Sequence, residues 1–206
     1  MEHIETEIKF NLTDIQSLRK RIIELGADFE DRVFETNIRF EDNKKSLLRK
    51  KSLLRLRRDT KTKLTFKSEP PLKDDQFKTV MELEVEVNDF DTMKLILEHL
   101  GFHQAQIYEK WRETFKLNET TLCLDTMPFG DFLEIEGEKE NIKKVASKIG
   151  LEWGKRITLN YLAIFDIIRQ KLNLPFMDVT FGNFDKIRID LEQYRHLIEA
   201  EGALRR

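Results

Sequence analysis

Three stretches of the chain alternate apolar residues with acidic ones: Ile4-Glu5-Thr6-Glu7-Ile8, Met81-Glu82-Leu83-Glu84-Val85-Glu86-Val87 and Phe132-Leu133-Glu134-Ile135-Glu136. A period of two sends successive side chains to opposite faces of a strand. Each stretch therefore predicts a strand with one apolar and one carboxylate-bearing face. Helical spacing follows each of them, and then a glycine. Ile15, Leu18, Ile22 and Leu25 precede Gly26, with Thr13 or Asp14 as cap. Met93, Ile96, Leu97 and Leu100 precede Gly101, with Asp89 or Asp91 as cap, and Ile142, Val145 and Ile149 precede Gly150. Capping residue, apolar stripe and terminal glycine are what a helix of one or two dozen ångströms needs. The strand–helix unit recurs at unequal intervals, so it is a repeated supersecondary element and not a solenoid.

Residues 37–40, 54–57, 64–67, 110–115 and 121–125 alternate as well, whereas 42–52 and 68–76 read as loops, the second holding Pro70 and Pro71. About eight strands with a few helices predict an antiparallel α+β chain. After Arg156 the texture changes. Residues 158–172 form a helical pattern (Leu159, Leu162, Phe165, Ile168, Leu172) ended by Pro175; a short Val179-Thr180-Phe181 stretch and a highly charged helix from about Asp190 follow. The expected organisation is a domain over 1–172 and a partly helical appendage over 173–206.

Charged residues make up 36% of the chain, yet 36 basic residues nearly balance 38 acidic ones. The polar strand faces carry long ionic side chains of both signs. The acids are Glu5, Glu7, Glu82, Glu84, Glu86, Asp125, Glu134 and Glu136; the bases are Lys9, Arg39, Arg55, Arg57, Lys63, Lys67, Lys110 and Arg112. Amphipathic helices must cover an apolar surface. If they cover the outside of a barrel, the charged faces are left inside. Alternation alone also permits a solvated sheet face with cross-strand ion pairs, each contributing about 0.2–1 kcal/mol. The Glu-x-Glu pairs favour the barrel. Carboxylates at i and i+2 lie roughly 6.6 Å apart on one face, close enough to share a cation and crowded without one.

Hard carboxylates suit Mg²⁺ or Mn²⁺, while Arg and Lys suit phosphate oxygens. No glycine-rich phosphate loop is present, so side chains must hold the phosphates. His3, His99, His103 and His196 lack metal-binding spacing, and the lone Cys123, between Leu122 and Leu124, reads as a small buried residue that cannot form an internal disulfide. The near-neutral balance does not suggest a nucleic-acid or membrane-surface binder. The acidic start lacks a signal-peptide pattern and no run reaches membrane-span length, so a cytoplasmic protein is expected. A homodimer is the commonest prior for oligomeric state.

Glu5-Thr6-Glu7-Ile8-Lys9 resembles the N-terminal E-x-E-x-K signature of the CYTH superfamily, the triphosphate tunnel metalloenzymes. The order of the following motifs is similar: Leu54-Arg55-Leu56-Arg57, Leu64-Thr65-Phe66-Lys67, Glu82-x-Glu84, Lys110-x-Arg112, then Asp125 with Gly130-x-Phe132-x-Glu134-x-Glu136. The resemblance spans about residues 2–168 and looks nearest the class IV adenylyl cyclase-like and thiamine triphosphatase-like branches. It implies a closed eight-stranded antiparallel tunnel and Mg²⁺- or Mn²⁺-dependent chemistry on a triphosphate. The candidate substrates are tripolyphosphate, thiamine triphosphate and ATP. The reaction implied is hydrolysis, with cyclisation of ATP to cyclic AMP as the alternative and a non-catalytic polyphosphate binder as a third reading. It further implies Glu5, Glu7, Glu134 and Glu136 as metal ligands and Lys9, Arg55, Arg57, Lys67, Lys110 and Arg112 as the phosphate clamp. Glu82, Glu84 and Asp125 would orient the cations or bind a second metal. Three positions depart from the family pattern. Val80 stands where an Arg is common, with Lys78 as a substitute; Arg39 stands for a Tyr; and Asn160-Tyr161 replaces a late Ser-Tyr.

Overall fold

The computed structural model of the protein describes residues 4–72 and 74–200. All the alternating stretches become strands: β1 (Ile4–Leu12), β2 (Asp28–Asp42), β3 (Leu53–Arg58), β4 (Thr62–Ser68), β5 (Lys78–Val87), β6 (Phe102–Leu117), β7 (Thr120–Met127) and β8 (Gly130–Glu136). They close into a barrel in the order β1-β5-β4-β3-β2-β6-β7-β8, with every neighbouring pair antiparallel. Closure leaves no strand edge open. Strands β2 and β6 run to 15 and 16 residues, far beyond the short alternating cores visible in the sequence. They stay paired over this length by shifting register between Phe29 and Asp31 and between Arg39 and Phe40, as bulges allow.

The helices are α1 (Ile15–Glu24), α2 (Ser46–Arg49), α3 (Phe90–His99), α4 (Lys139–Lys148), α5 (Tyr161–Leu172) and α6 (Arg195–Ile198). Of the alternative caps, Asp14 and Asp89 are used; their carboxylates accept from Ser17 N and Thr92 N. From α1 and α4, the side chains of Leu18, Ile22, Ile142, Val145 and Ile149 bury the outward residues Ile8, Phe115, Leu122, Leu133 and Ile135. Phe90 and Leu97 of α3 cover Ile38, Phe40 and Leu56. The stripe expected on α3 is only partly used: Ile96 and Leu100 are exposed. The helix leans on β3 and β6 and leaves the outer face of β5 bare, so Leu83 and Val85 are exposed too. The 42–52 loop contains α2, a single turn whose Leu47 and Leu48 amides donate to the carboxylate of Glu41.

A third core closes one end of the barrel. Met127, Phe132 and Tyr108 share strand faces with Asp125, Glu134 and Lys110, so the interior turns from charged to apolar there. Tyr161, Ile164, Phe165 and Ile168 of α5 pack on that end. Asn160 caps α5 through its side chain, and Asn173 ends it in a left-handed turn. Residues beyond it fold back: Val179 forms a parallel bridge with Tyr108, Ile107 N donates to Asp178 Oδ1 at 2.8 Å, and Phe184, Leu191 and Ile198 join the core. In place of the highly charged helix expected from about Asp190 there is a 3-10 turn, Leu191–Tyr194, and the four-residue α6. Residues 201–206 of the expected appendage lie outside the described residues. Among the described residues no helix is long and apolar enough to cross a membrane.

Leu133 and Leu83 both point outward from central strand positions, but Leu133 is fully buried and Leu83 is 45% exposed. Leu133→Ala should lower unfolding free energy by about 2–5 kcal/mol. Leu83→Ala should change it by about 0.5 kcal/mol or less. Urea titration of the two variants checks the contrast.

Candidate active site in the barrel tunnel

The inner strand faces line a cavity of about 1450 Å³. Glu5, Glu7, Lys9, Arg39, Arg55, Arg57, Lys63, Lys67, Glu82, Glu84, Lys110, Arg112, Glu134 and Glu136 all border it. Glu86 does so at an exposed mouth, paired with Lys61. Asp125 lies behind this lining and is fully buried.

Alternation fixes which side chains point inward; strand register fixes which of them meet. On one wall Glu7 stands opposite Glu136, and Lys9 opposite Glu134. Lys9 bonds to Glu7 and lies 2.9 Å from Glu134. Lys78, at the start of β5, reaches Glu7 at 2.7 Å. Lys67 bonds to Glu5 and lies 2.6 Å from Glu82. On the other wall Arg112 grips Asp125 with two hydrogen bonds of 2.6 Å and reaches Glu134 at 2.9 Å. Lys110 and the Tyr161 hydroxyl also donate to Asp125, at 3.1 and 2.7 Å. Arg57 lies 3.7 Å from Glu84 and 3.2 Å from Asp59, and Lys63 donates to Glu84 at 2.7 Å. Arg55 donates to Thr65 at 3.1 Å and Tyr108 at 3.3 Å.

Several of these partners were not legible as site residues. Glu35, 1% exposed, sits among Lys110, Arg57 and Arg112 at 3.5, 3.6 and 3.9 Å. Its signal was present as a continuation of the β2 alternation, Val33-x-Glu35-x-Asn37-x-Arg39, upstream of where the strand was expected to begin. Tyr108 has the same parity as Lys110 and Arg112. The role of Tyr161 could not be read from periodicity, because a helix residue reaches Asp125 only once α5 has docked.

The electrostatics divide the carboxylates into two groups. Burial and Glu134 act to raise Glu7, but Lys78, Lys9 and Lys67 more than offset this and hold it at about 2. Glu35 is likewise held at about 2 against burial by Lys110, Arg112 and Arg57. Burial opposes ionisation of Glu134 as well, and Lys9 and Arg112 push it well below the ordinary range. The opposite holds at the acidic end. Burial, a hydrogen bond with Glu82 and the charge of Glu7 raise Glu5 to about 8. Burial together with Glu134 and Glu7 raises Glu136. Burial lifts the Cys123 thiol to about 12, which leaves it inert at neutral pH. Glu5 and Glu136 each feel the charge of Glu7 and resist ionisation, but among the described residues no three acidic, His or Cys side chains stand close enough together to hold a metal ion. Their carboxylates are hard oxygen donors of the kind a divalent cation takes.

The CYTH domain family description matches residues 3–157. The chain belongs to the CYTH domain family. A curated relative in Methanocaldococcus jannaschii, named "Putative adenylate cyclase MJ0240", is 29% identical over 143 residues, covering 68% of this chain and 81% of the relative. The solved PH1819 protein of Pyrococcus horikoshii is 27% identical with a TM-score of 0.68, over 80% of this chain and 99% of that one. The Hippeastrum protein HpAC1, described as a "putative adenylyl cyclase" with a dominant triphosphatase activity, is 20% identical with a TM-score of 0.58, over 79% of this chain and 95% of that one, a likeness of fold. CYTH membership accounts for the barrel and the ordered charge motifs.

A carboxyl raised from 4.5 to about 8 on folding keeps a proton that the unfolded chain releases above 4.5. On account of Glu5 the metal-free protein should therefore lose stability as pH rises from about 4.5 to about 8. Glu5→Gln is uncharged throughout and should make that fall shallower. Urea midpoints across this window test it; an unchanged slope would place the titrating proton elsewhere.

Proposed function

We propose that this CYTH protein hydrolyses a triphosphate held with Mg²⁺ or Mn²⁺ in its tunnel. The observation that carries the reading is the pairing of buried cations with buried carboxylates around one cavity. Lys9, Lys67, Lys110, Arg57 and Arg112 each have a carboxylate partner, so the substrate-free tunnel leaves few charges uncompensated. When a metal triphosphate enters, the partners exchange. The phosphate oxygens take over the lysines and arginines, and the released carboxylates face the cation. An exchange of this kind avoids the several-kcal/mol penalty of burying unpaired charge.

In this reading Glu5, Glu7 and Glu136, with Glu134 beside them, hold the cation. A divalent ion there would neutralise phosphate charge and polarise the phosphorus under attack. Lys9, Lys67, Lys110, Arg55, Arg57 and Arg112 hold the phosphates, with Arg112 pre-oriented by its two bonds to Asp125. Asp125, itself fixed by Tyr161, positions Arg112 and Lys110. Glu82 and Glu84 keep Lys67, Arg55 and Lys63 aimed inward. The second reading is cyclisation of ATP, favoured by the adenylate cyclase name of the Methanocaldococcus jannaschii relative.

Incubation with Mg²⁺ or Mn²⁺ and tripolyphosphate, thiamine triphosphate or ATP decides between them. Orthophosphate as the released product supports hydrolysis; pyrophosphate with cyclic AMP sinks it in favour of the second reading. Mg²⁺ and tripolyphosphate together should raise Tm more than either alone, because each completes the other's charge environment.

Arg112→Ala should weaken tripolyphosphate binding by about 2–5 kcal/mol, since it uncovers both phosphate charge and Asp125. Glu134→Gln keeps shape and should cut turnover on the order of a hundredfold. Full activity in Glu134→Gln would remove β8 from the catalytic face.

A further inference from the structure

Arg39 differs from the other tunnel cations. It lies on the inner face of β2, in register with Arg55 of β3 on one side and Gln106 of β6 on the other. Lys9, Lys67, Lys78, Lys110, Arg55, Arg57 and Arg112 each have a carboxylate within 3.9 Å. Arg39 borders the same cavity but, among the described residues, makes neither a hydrogen bond nor an ion pair. Its Nε is buried without a partner, and so is the Nε of Arg55.

That arrangement is unfavourable in a protein with nothing bound. Like charges directly opposite on one strand face repel. A buried N–H without an acceptor also costs the desolvation of that group. Gln106, opposite Arg39, makes no hydrogen bond to it among the described residues; its amide nitrogen donates to the Met177 carbonyl at 2.6 Å. An oxyanion between Arg39 and Arg55 would supply what is missing.

The position also separates this anion from the main phosphate site. Glu35 marks where Lys110, Arg57 and Arg112 converge, and Arg39 is four residues further along β2. At about 3.4 Å per residue this is a backbone separation of roughly 13 Å. Arg39 lies towards the end of the barrel covered by α5 and by the segment carrying Met177.

We propose that Arg39, facing Arg55 at the edge of the phosphate clamp, forms a further anion subsite of the tunnel, and that it takes a phosphoryl group beyond the triphosphate. That group is either the fourth phosphate of a longer linear polyphosphate or a phosphate on the organic end of a nucleotide. The inference rests on the triphosphate reading above and names the substrate class more narrowly.

The test is isothermal titration without added metal, so that no turnover intervenes. The ligands are tripolyphosphate, linear tetrapolyphosphate, ATP and ATP bearing a 3′-phosphate. The parent protein should bind tetrapolyphosphate more tightly than tripolyphosphate, or the 3′-phosphorylated nucleotide more tightly than ATP, by on the order of tenfold. Whichever pair shows the advantage identifies the source of the phosphoryl group. Arg39→Gln should abolish the advantage and leave tripolyphosphate affinity within about twofold. Its unliganded Tm should equal or exceed the parent's, since a repulsion is removed. Arg39→Lys keeps the charge without the fork and should keep part of the advantage; it carries the comparison if the glutamine variant does not fold. Equal weakening of tri- and tetrapolyphosphate by Arg39→Gln would assign Arg39 to the triphosphate clamp and overturn the subsite. Strong tripolyphosphate binding with no advantage for either longer ligand overturns the subsite and leaves the proposed function standing. Failure of all four ligands to bind the parent overturns both.

Discussion

The structure depends on mutual neutralisation of acids and bases inside a closed sheet. Long ionic side chains are turned into a barrel interior, where isolated charges would carry a desolvation cost of several kcal/mol each. The fold tolerates this because acids and bases alternate between neighbouring strands. Lys9 on β1 meets Glu134 on β8, Lys67 on β4 meets Glu82 on β5, and Arg112 on β6 meets Asp125 on β7. The apolar cores lie outside the charged section, beneath α1, α4 and α3, and at the end covered by α5. Hydrophobic stabilisation comes from the outer faces, and the inner faces are left for chemistry.

Neutralisation is uneven, and the unevenness is where function is legible. Glu7, Glu35 and Glu134 are held ionised by surrounding cations, whereas Glu5 and Glu136 are pushed towards their neutral forms by burial and by their acidic neighbours. At Glu5 and Glu136 burial and neighbouring carboxylates outweigh the local cations, among them Lys67, which bonds to Glu5. At Arg39 the imbalance has the opposite sign. The balance of charge therefore differs along the tunnel.

The end covered by α5 links fold to site. Phe132 and Met127 occupy inner-face positions yet are apolar, because the interior there is filled by helix side chains. The same packing delivers the Tyr161 hydroxyl to Asp125, so a residue of the outer helix layer becomes part of the buried polar network. Residues after Asn173 then fix Gln106 and Ile107 of β6, two and one residues before Tyr108. A change in this C-terminal packing would reach the tunnel wall directly.

Periodicity alone determined the faces of this protein. Every strand in which Glu5, Lys9, Arg55, Arg57, Glu82, Arg112 and Glu134 were read as sharing a polar face places them on the tunnel side, because a period of two leaves no other choice once the opposite face is apolar. The caps and glycine stops of α1 and α3 were local properties and equally readable. Partnership was decided only by tertiary structure. That Arg112 grips Asp125 and Glu134 depends on the register of β6, β7 and β8, a non-local quantity that no single strand encodes. The extension of β2 to Glu35, the docking of Tyr161 and the bare face around Leu83 depend on bulges and on the angle at which a helix settles, which follow from packing between distant segments. The sequence specified which side chains face inward, and closure of the barrel decided which of them neutralise one another and which, like Arg39 among the described residues, are left without a partner.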